Sequence, residues 1–171
     1  RLQAAVSDGK TSFFNWEDLT RPQGFEAYRN EADHIGFAED MVRRTRAMMD
    51  GRSVPACTVP VVLEAGGCGT LWHESCGHSL EAAAIAAGSS AFIGKLGQKV
   101  ASDRVTLVDD GTMPGLYGSS AVDDEGHPRQ RNVLIENGIL KNYMCDRLHG
   151  RMLNLPSNGC GRRQNYTYAP T

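Results

Sequence analysis

Apolar positions recur along the chain in patterns that change from helical to extended and back. Between Glu31 and Asp50, the residues Ile35, Ala38, Val42, Thr45 and Met48–Met49 keep a helical spacing, and Gly51 follows as a stop. This predicts a helix with those side chains on one face. Ahead of it, Ser7-Asp8-Gly9-Lys10 reads as a turn and Thr11 to Trp16 as a strand. Thr58-Val59-Pro60-Val61-Val62-Leu63-Glu64 is a short β-branched run ended by Gly66-Gly67, which predicts a second strand. From about Thr70 to Ala87 the composition favours helix, with Leu80, Glu81 and a run of alanines. Gly51-Arg52-Ser53-Val54-Pro55 is the best linker candidate in the chain.

Beyond Gly88 the pattern turns to β. Val105–Val108 is an apolar run ended by Asp109-Asp110-Gly111, a turn signal. Asn132–Ile135 and Ile139–Tyr143 flank Glu136-Asn137-Gly138, and Asn-Gly between apolar runs is a strong hairpin signal. Such a hairpin offers an edge strand to a substrate backbone, a recognised mode of peptide binding. Asp146 to Leu153 predicts a short helix capped by Asp146. The fold class that results is α+β: a strand–helix unit followed by antiparallel β-hairpins.

Composition narrows the function classes. With 171 residues, a formal net charge of −2 and 40% hydrophobic residues, the chain reads as globular and carries no basic excess for nucleic acid. Its longest apolar stretch, Leu80 to Ala87, is interrupted by Glu81 and is too short to cross a bilayer. Cys57, Cys68, Cys76, Cys145 and Cys160 make an odd number without CxxC pairs, which points to reduced thiols in a cytoplasm rather than a disulfide framework. The chain starts at Arg1 and stops at Thr171 without an obvious terminal element, and is read as a piece of a longer protein.

The chemistry concentrates in Leu71-Trp72-His73-Glu74-Ser75-Cys76-Gly77-His78-Ser79-Leu80-Glu81. The familiar zinc-protease motif places its second histidine four residues after the first, so that both share a helix face. Here the spacing is five, HExxxH. On a regular helix of roughly 100° per residue, histidines four apart differ by roughly 40°, but five apart they differ by roughly 140°. A π-bulge would repair this by inserting one residue into a turn, and Gly77 with the small Ser75 and Cys76 would ease the distortion. If the imidazoles converge, they can bind zinc, with Glu74 placed to move a proton to or from a water. The competing reading is a chance pattern on a solvated helix. Cys76 is either a thiolate ligand on the same face or a buried free cysteine.

At this point the motif, together with Pro60–Leu63 before it, resembles the TldD/PmbA family of zinc metallopeptidases, once labelled modulators of DNA gyrase, and in particular its TldD type. Val108–Met113, Asp123–Gly126, Asn132–Lys141 and Gly161-Arg162-Arg163 extend the likeness in order. The resemblance implies that residues 1–54 are the end of an N-terminal domain and linker, and that 55–171 are the first part of a C-terminal metallopeptidase domain. It implies Zn²⁺ as cofactor, His73 and His78 as metal ligands and Glu74 as catalytic base. The third ligand would be a cysteine beyond Thr171. Peptides or unfolded segments would be the substrate, and the partner a second copy or a PmbA/TldE-like subunit, with no nucleic acid or membrane involved. The competing class is a non-catalytic assembly or binding subunit whose helix is structural.

Other polar groups have bland readings. Asp109, Asp110, Asp123, Asp124 and Glu125 are either a second metal site or, far more often, solvated turns. His127 reads as a turn residue and His149 as a surface or packed histidine. Arg162-Arg163 is either a basic surface pair or a bidentate grip on a peptide carboxylate.

Overall fold

The computed structural model describes residues 1–20 and 23–171, and divides them into two compact units. The first comprises Arg1–Pro60 with Gly115–Tyr117, and the second Val61–Pro114 with Gly118–Thr171. Helices and antiparallel strands mix in both, as expected of an α+β protein.

In the first unit, β1 (Leu2–Ser7) and β2 (Ser12–Glu17) form an antiparallel hairpin. Asp8 closes its turn by accepting the Lys10 and Thr11 amides, and Gly9 takes a positive φ of 87°. Only β2 is expected from the sequence; β1 has small residues that gain strand character from the partner. Helix α1 (Glu31–Ala47) packs on the hairpin and runs into a 3₁₀ turn at Met48–Asp50. Its buried face is centred on Met41 and Thr45, while Ile35 and Val42 stand half exposed. The face is therefore rotated by about one position from the predicted stripe, because Met41 rather than Val42 reaches the hairpin side. Thr45 is fully buried with its hydroxyl on the Met41 carbonyl at 2.7 Å.

The predicted strand at Thr58–Glu64 does not form. The segment has no regular structure, and Val59, Val61, Val62 and Leu63 are exposed, Val62 at 95%. Strand propensity expresses how well a side chain fits a half-buried pleated surface, and no described strand lies beside this run to supply one. The helix carrying the motif thus follows a coil, which corrects the strand–helix unit.

The second unit is built on a three-stranded antiparallel sheet of order β3-β4-β5, from β3 (Leu107–Asp110), β4 (Arg131–Glu136) and β5 (Ile139–Leu140). Asn137 and Gly138 take φ of 48° and 79°, the left-handed pair that a two-residue hairpin turn demands. β3 starts two residues later than expected, so Asp109 and Asp110 are strand residues rather than a turn. β5 offers no open edge either. Gly97 donates to the Leu140 carbonyl at 2.8 Å, Leu140 donates to Gln98 at 3.0 Å, and Val100 donates to Gly138 at 2.8 Å. That covered edge removes the hairpin as a docking strand for substrate.

The expected continuous helix at 70–87 is four short pieces: α2 (Gly67–Trp72), a π turn (His73–Gly77), a 3₁₀ turn (His78–Leu80) and α3 (Ala82–Ala86). The break falls at Glu81, which is extended with ψ of 136°. Its cause is tertiary. The Ala82 amide donates to the Met144 carbonyl at 2.8 Å, and the Met144 amide donates to the Leu80 carbonyl at 2.9 Å. Leu80, Ala82 and Ile85 then pack with Leu134, Ile135, Leu140, Tyr143 and Cys145 as the core of the unit. α4 (Arg147–Leu153) is capped by Asp146, whose carboxylate accepts the His149 amide at 3.2 Å and lies 2.9 Å from the His149 ring. Among the described residues, no helix is long and apolar enough to cross a membrane.

Candidate metal centre

Chain geometry brings the two histidines of the motif together. In the π turn, the His78 amide donates to the His73 carbonyl, five residues back. Residues five apart then stack as residues four apart do in an α-helix. The imidazole centroids lie 4.2 Å apart at 64°. A regular helix would have sent the rings to different sides, so the extra residue in the spacing is absorbed by the backbone.

Gly77 serves this geometry differently from its expected role. Its φ of −57° and ψ of −54° are ordinary helical values, so no special backbone freedom is used. A Cβ at this buried position would instead lie 3.1 Å from Nδ1 of His73 and 3.4 Å from its Cγ. Glycine keeps the space into which the His73 ring folds back.

His73, Glu74 and His78 each present a donor atom, and these atoms lie within 4.8 Å of one another. Oε2 of Glu74 is 4.0 Å from Nε2 of His78. On the other side of the ring, Nδ1 of His78 is 2.8 Å from Oε1 of Glu81. With Nδ1 donating to Glu81, Nε2 keeps its lone pair and faces the Glu74 side. A ligating imidazole is commonly held this way by a carboxylate on its other nitrogen. The set suits a borderline-soft divalent ion such as zinc, whose nitrogen and oxygen ligands sit roughly 2.0–2.2 Å from the metal.

Cys76 is not in this group. Its thiol points back along the helix, 3.2 Å from the Trp72 carbonyl. The acidic turn residues are also occupied, and among the described residues they form no second cluster with metal-ligand spacing. Asp123 is buried and accepts the amides of Glu125 at 3.0 Å, His127 at 2.8 Å and Gly161 at 3.0 Å. Asp124 accepts the Arg163 amide at 2.9 Å and Nε of Arg162 at 3.2 Å, and these contacts hold its carboxyl below the usual range. Asp110 is lowered likewise by the Thr112 hydroxyl and amide. His127 rests against the Pro128 carbonyl at 2.9 Å.

The histidines open onto a cleft of about 620 Å³ in the second unit, whose wall includes Glu81, Asp109, Arg129, Met144, Cys160, Arg162 and Arg163. Sequence reasoning finds the histidines, Glu74 and the arginine pair, but gives no part to Glu81. The signal was present, since Glu81 lies three residues after His78 and side chains at that spacing are neighbours. Cys160 and Asp109 leave no such trace. They are 51 positions apart, and Sγ of Cys160 meets Oδ2 of Asp109 at 3.3 Å through folding alone. Burial and the Asp109 charge push the Cys160 thiol far above its ordinary pKa, and burial raises Cys145 to about 11.

The π turn thus pairs two imidazoles beside a glutamate, a group able to hold a metal ion, and similarity to known proteins gives the class of protein in which it lies. The family described as the PmbA/TldA metallopeptidase C-terminal domain matches residues 56–171. The chain belongs to the PmbA/TldD metallopeptidase family. It is 42% identical over 146 residues to a protein of Haemophilus influenzae named metalloprotease TldD homolog, which covers 85% of this chain and 30% of that one. A TldD homolog of Buchnera aphidicola is 46% identical over 134 residues, covering 78% and 28%. The chain thus spans under a third of the length of these relatives. In fold, it resembles a modulator-of-DNA-gyrase protein of Thermotoga maritima, with a TM-score of 0.65 at 20% identity over 98% of this chain and 37% of that one. TldE of Thermococcus kodakarensis gives 0.50 at 31% identity, covering 55% and 21%.

Proposed function

We propose that the chain carries the motif half of a zinc-dependent peptidase site, acting on peptides or unfolded polypeptide segments. The observation that carries this reading is the π turn of His73–Gly77, which sets both imidazoles beside Glu74. His73 and His78 would hold the ion. Catalytic zinc sites take three protein ligands and leave one position open, so a further ligand is required, and the family likeness points to a cysteine beyond Thr171. A related protein of Saccharolobus solfataricus, 33% identical over 74% of this chain, is named a zinc metalloprotease, which supports zinc as the ion.

When bound, zinc supplies Lewis-acid polarisation of the scissile carbonyl and lowers the pKa of a water. Glu74, exposed and 4.0 Å from Nε2 of His78, would take the proton of the attacking water and return it to the leaving amine. Glu81 holds His78 through Nδ1, which fixes the ring and raises the donor strength of Nε2. The open cleft beside the histidines receives an extended chain more readily than a compact surface.

Residues 1–54 are assigned to the end of an N-terminal domain and its linker, and 55–171 to the first part of the C-terminal metallopeptidase domain; the family match from residue 56 supports this division. Assembly as a homodimer, or with a PmbA/TldE-like subunit, is the proposed state, and the likeness to TldE supports the second form. Five free thiols fit a reducing, cytoplasmic setting. The test is metal content and turnover of the purified full-length protein. About one zinc per chain, lost in His73→Ala, is expected, with Glu74→Gln keeping zinc and losing hydrolysis. A wild type without zinc, or a Glu74→Gln variant with full turnover, would overturn the reading.

A further inference from the structure

The cleft beside the histidines is lined by three guanidinium groups, of Arg129, Arg162 and Arg163, against the side-chain carboxylates of Glu81 and Asp109, with Gln164 and Thr171 also in its wall. Those two carboxylates are already engaged, Glu81 by His78 at 2.8 Å and Asp109 by the Cys160 thiol at 3.3 Å. The arginines differ in what they have left to give. Arg162 is tied to Asp124 at 3.2 Å and reaches the Gly118 carbonyl. Arg129 donates through one terminal nitrogen to the Gly159 carbonyl, but its Nε is buried with no hydrogen-bond partner. Arg163 is fixed only through its main chain, whose amide donates to Asp124 at 2.9 Å. Among the described residues its guanidinium makes no hydrogen bond or close ion pair; it feels the Asp124 carboxylate at longer range and lines the cleft with its donors exposed.

The buried Nε of Arg129 is a costly unpaired donor, and the exposed planar guanidinium of Arg163 matches a carboxylate in two parallel hydrogen bonds. Fixing the Arg163 backbone while leaving its side chain uncommitted is an arrangement suited to meeting a ligand. Resting on the peptidase reading above, we infer that Arg163, with Arg129 behind it, binds a carboxylate of the substrate. The cleft would then select peptides that carry negative charge close to the scissile bond. That charge has two sources, the C-terminal carboxylate of a short peptide or an internal acidic side chain. Binding is by hydrogen bonds and charge alone, with no covalent step.

The experiment uses zinc-loaded full-length protein and four matched fluorescent peptides: a neutral parent ending in an amide, the same peptide ending in a free carboxylate, and amide-ended versions with internal Asp or Asn. A kcat/KM at least tenfold higher for a carboxylate peptide than for its neutral match is expected, with the preferred pair naming the source. In Arg163→Gln that ratio should collapse toward one, and Arg163→Lys, a point charge without the fork, should keep only part of it. Fluorescence anisotropy of the same peptides on Glu74→Gln protein gives binding separately from turnover. Equal hydrolysis of all four peptides would overturn the carboxylate site and leave the peptidase standing. Arg163-dependent binding of carboxylate peptides with no hydrolysis by the wild type would do the reverse. If neither binding nor hydrolysis distinguishes the pairs, the site is refuted. A preference that survives Arg163→Gln would refute Arg163 as its origin.

Discussion

Glu81 sits 2.8 Å from Nδ1 of His78, at the point where the helix ends. Were the helix continuous, Glu81 would follow the helical path; instead its backbone is extended and bridged to Met144. The carboxylate that meets the second imidazole thus belongs to the residue at which the helix breaks. Removing it should act on the metal rather than on the fold. Glu81→Ala is expected to weaken zinc binding by roughly 10–100-fold, the usual effect of losing a carboxylate behind a ligating histidine. Competition with a chromophoric chelator measures it; unchanged affinity would show that Glu81 has no orienting role.

Gly77 is expected to be sensitive for the same reason. In Gly77→Ala the new methyl meets the His73 ring at 3.1 Å and the ring must move by a few tenths of an ångström. Alanine is a better helix former by up to about 1 kcal/mol, so the metal-free protein should lose little stability. Zinc affinity should fall at least several-fold. Metal titration and urea denaturation of the same variant separate the two effects.

Leu80 couples the motif to the core. It is fully buried two residues after His78 and its carbonyl accepts the Met144 amide. Leu80→Ala should cost about 2–5 kcal/mol, the range for emptying a leucine site in a packed interior. The loss appears as a lower urea midpoint, and zinc affinity should fall with it.

Thiol labelling should divide the cysteines by burial. Cys145 and Cys160 are buried, and both thiols are pushed up, Cys145 to about 11, so neither offers a thiolate near pH 8. Cys57, Cys68 and Cys76 should react with a disulfide reagent in native protein, and all five only after unfolding. Rapid modification of five thiols at pH 8 without denaturant would contradict this packing.

Acid should weaken the loop that ends in Arg162-Arg163. The carboxyl of Asp124 is held below its ordinary value, first by the Arg163 amide and then by Arg162. A depressed folded-state pKa means that the stabilisation is present above the unfolded value of about 3.9 and is lost as pH falls through the lower folded value. Asp124→Asn should therefore be less stable than wild type near pH 6, with the difference shrinking below about pH 4. Denaturation curves across that range test the sign.

Local chemistry made several elements legible. Asn137-Gly138 demanded a left-handed turn, Asp146 capped the helix after it, and the period from Glu31 predicted α1. Even the π turn was implied, because five-residue spacing cannot place two imidazoles on one face of a regular helix. These features depend on interactions within about five residues, which sequence displays directly. The family was likewise legible from ordered motifs, and the match over 56–171 agrees.

What the sequence could not decide depends on partners far along the chain. Val59–Leu63 has strand composition, but strands exist only in pairs, and no described strand lies beside it. Glu81 leaves the helix because Met144, 63 positions later, offers two backbone hydrogen bonds. Asp109 meets Cys160 across 51 positions to complete the wall of the cleft. The sequence by itself determined the two imidazoles, the glutamate and the bulge that unites them. The three-residue spacing also displays Glu81 beside His78, but only the tertiary structure placed the arginines beside them, since non-local hydrogen bonds and core packing, not local propensity, select which distant segments meet.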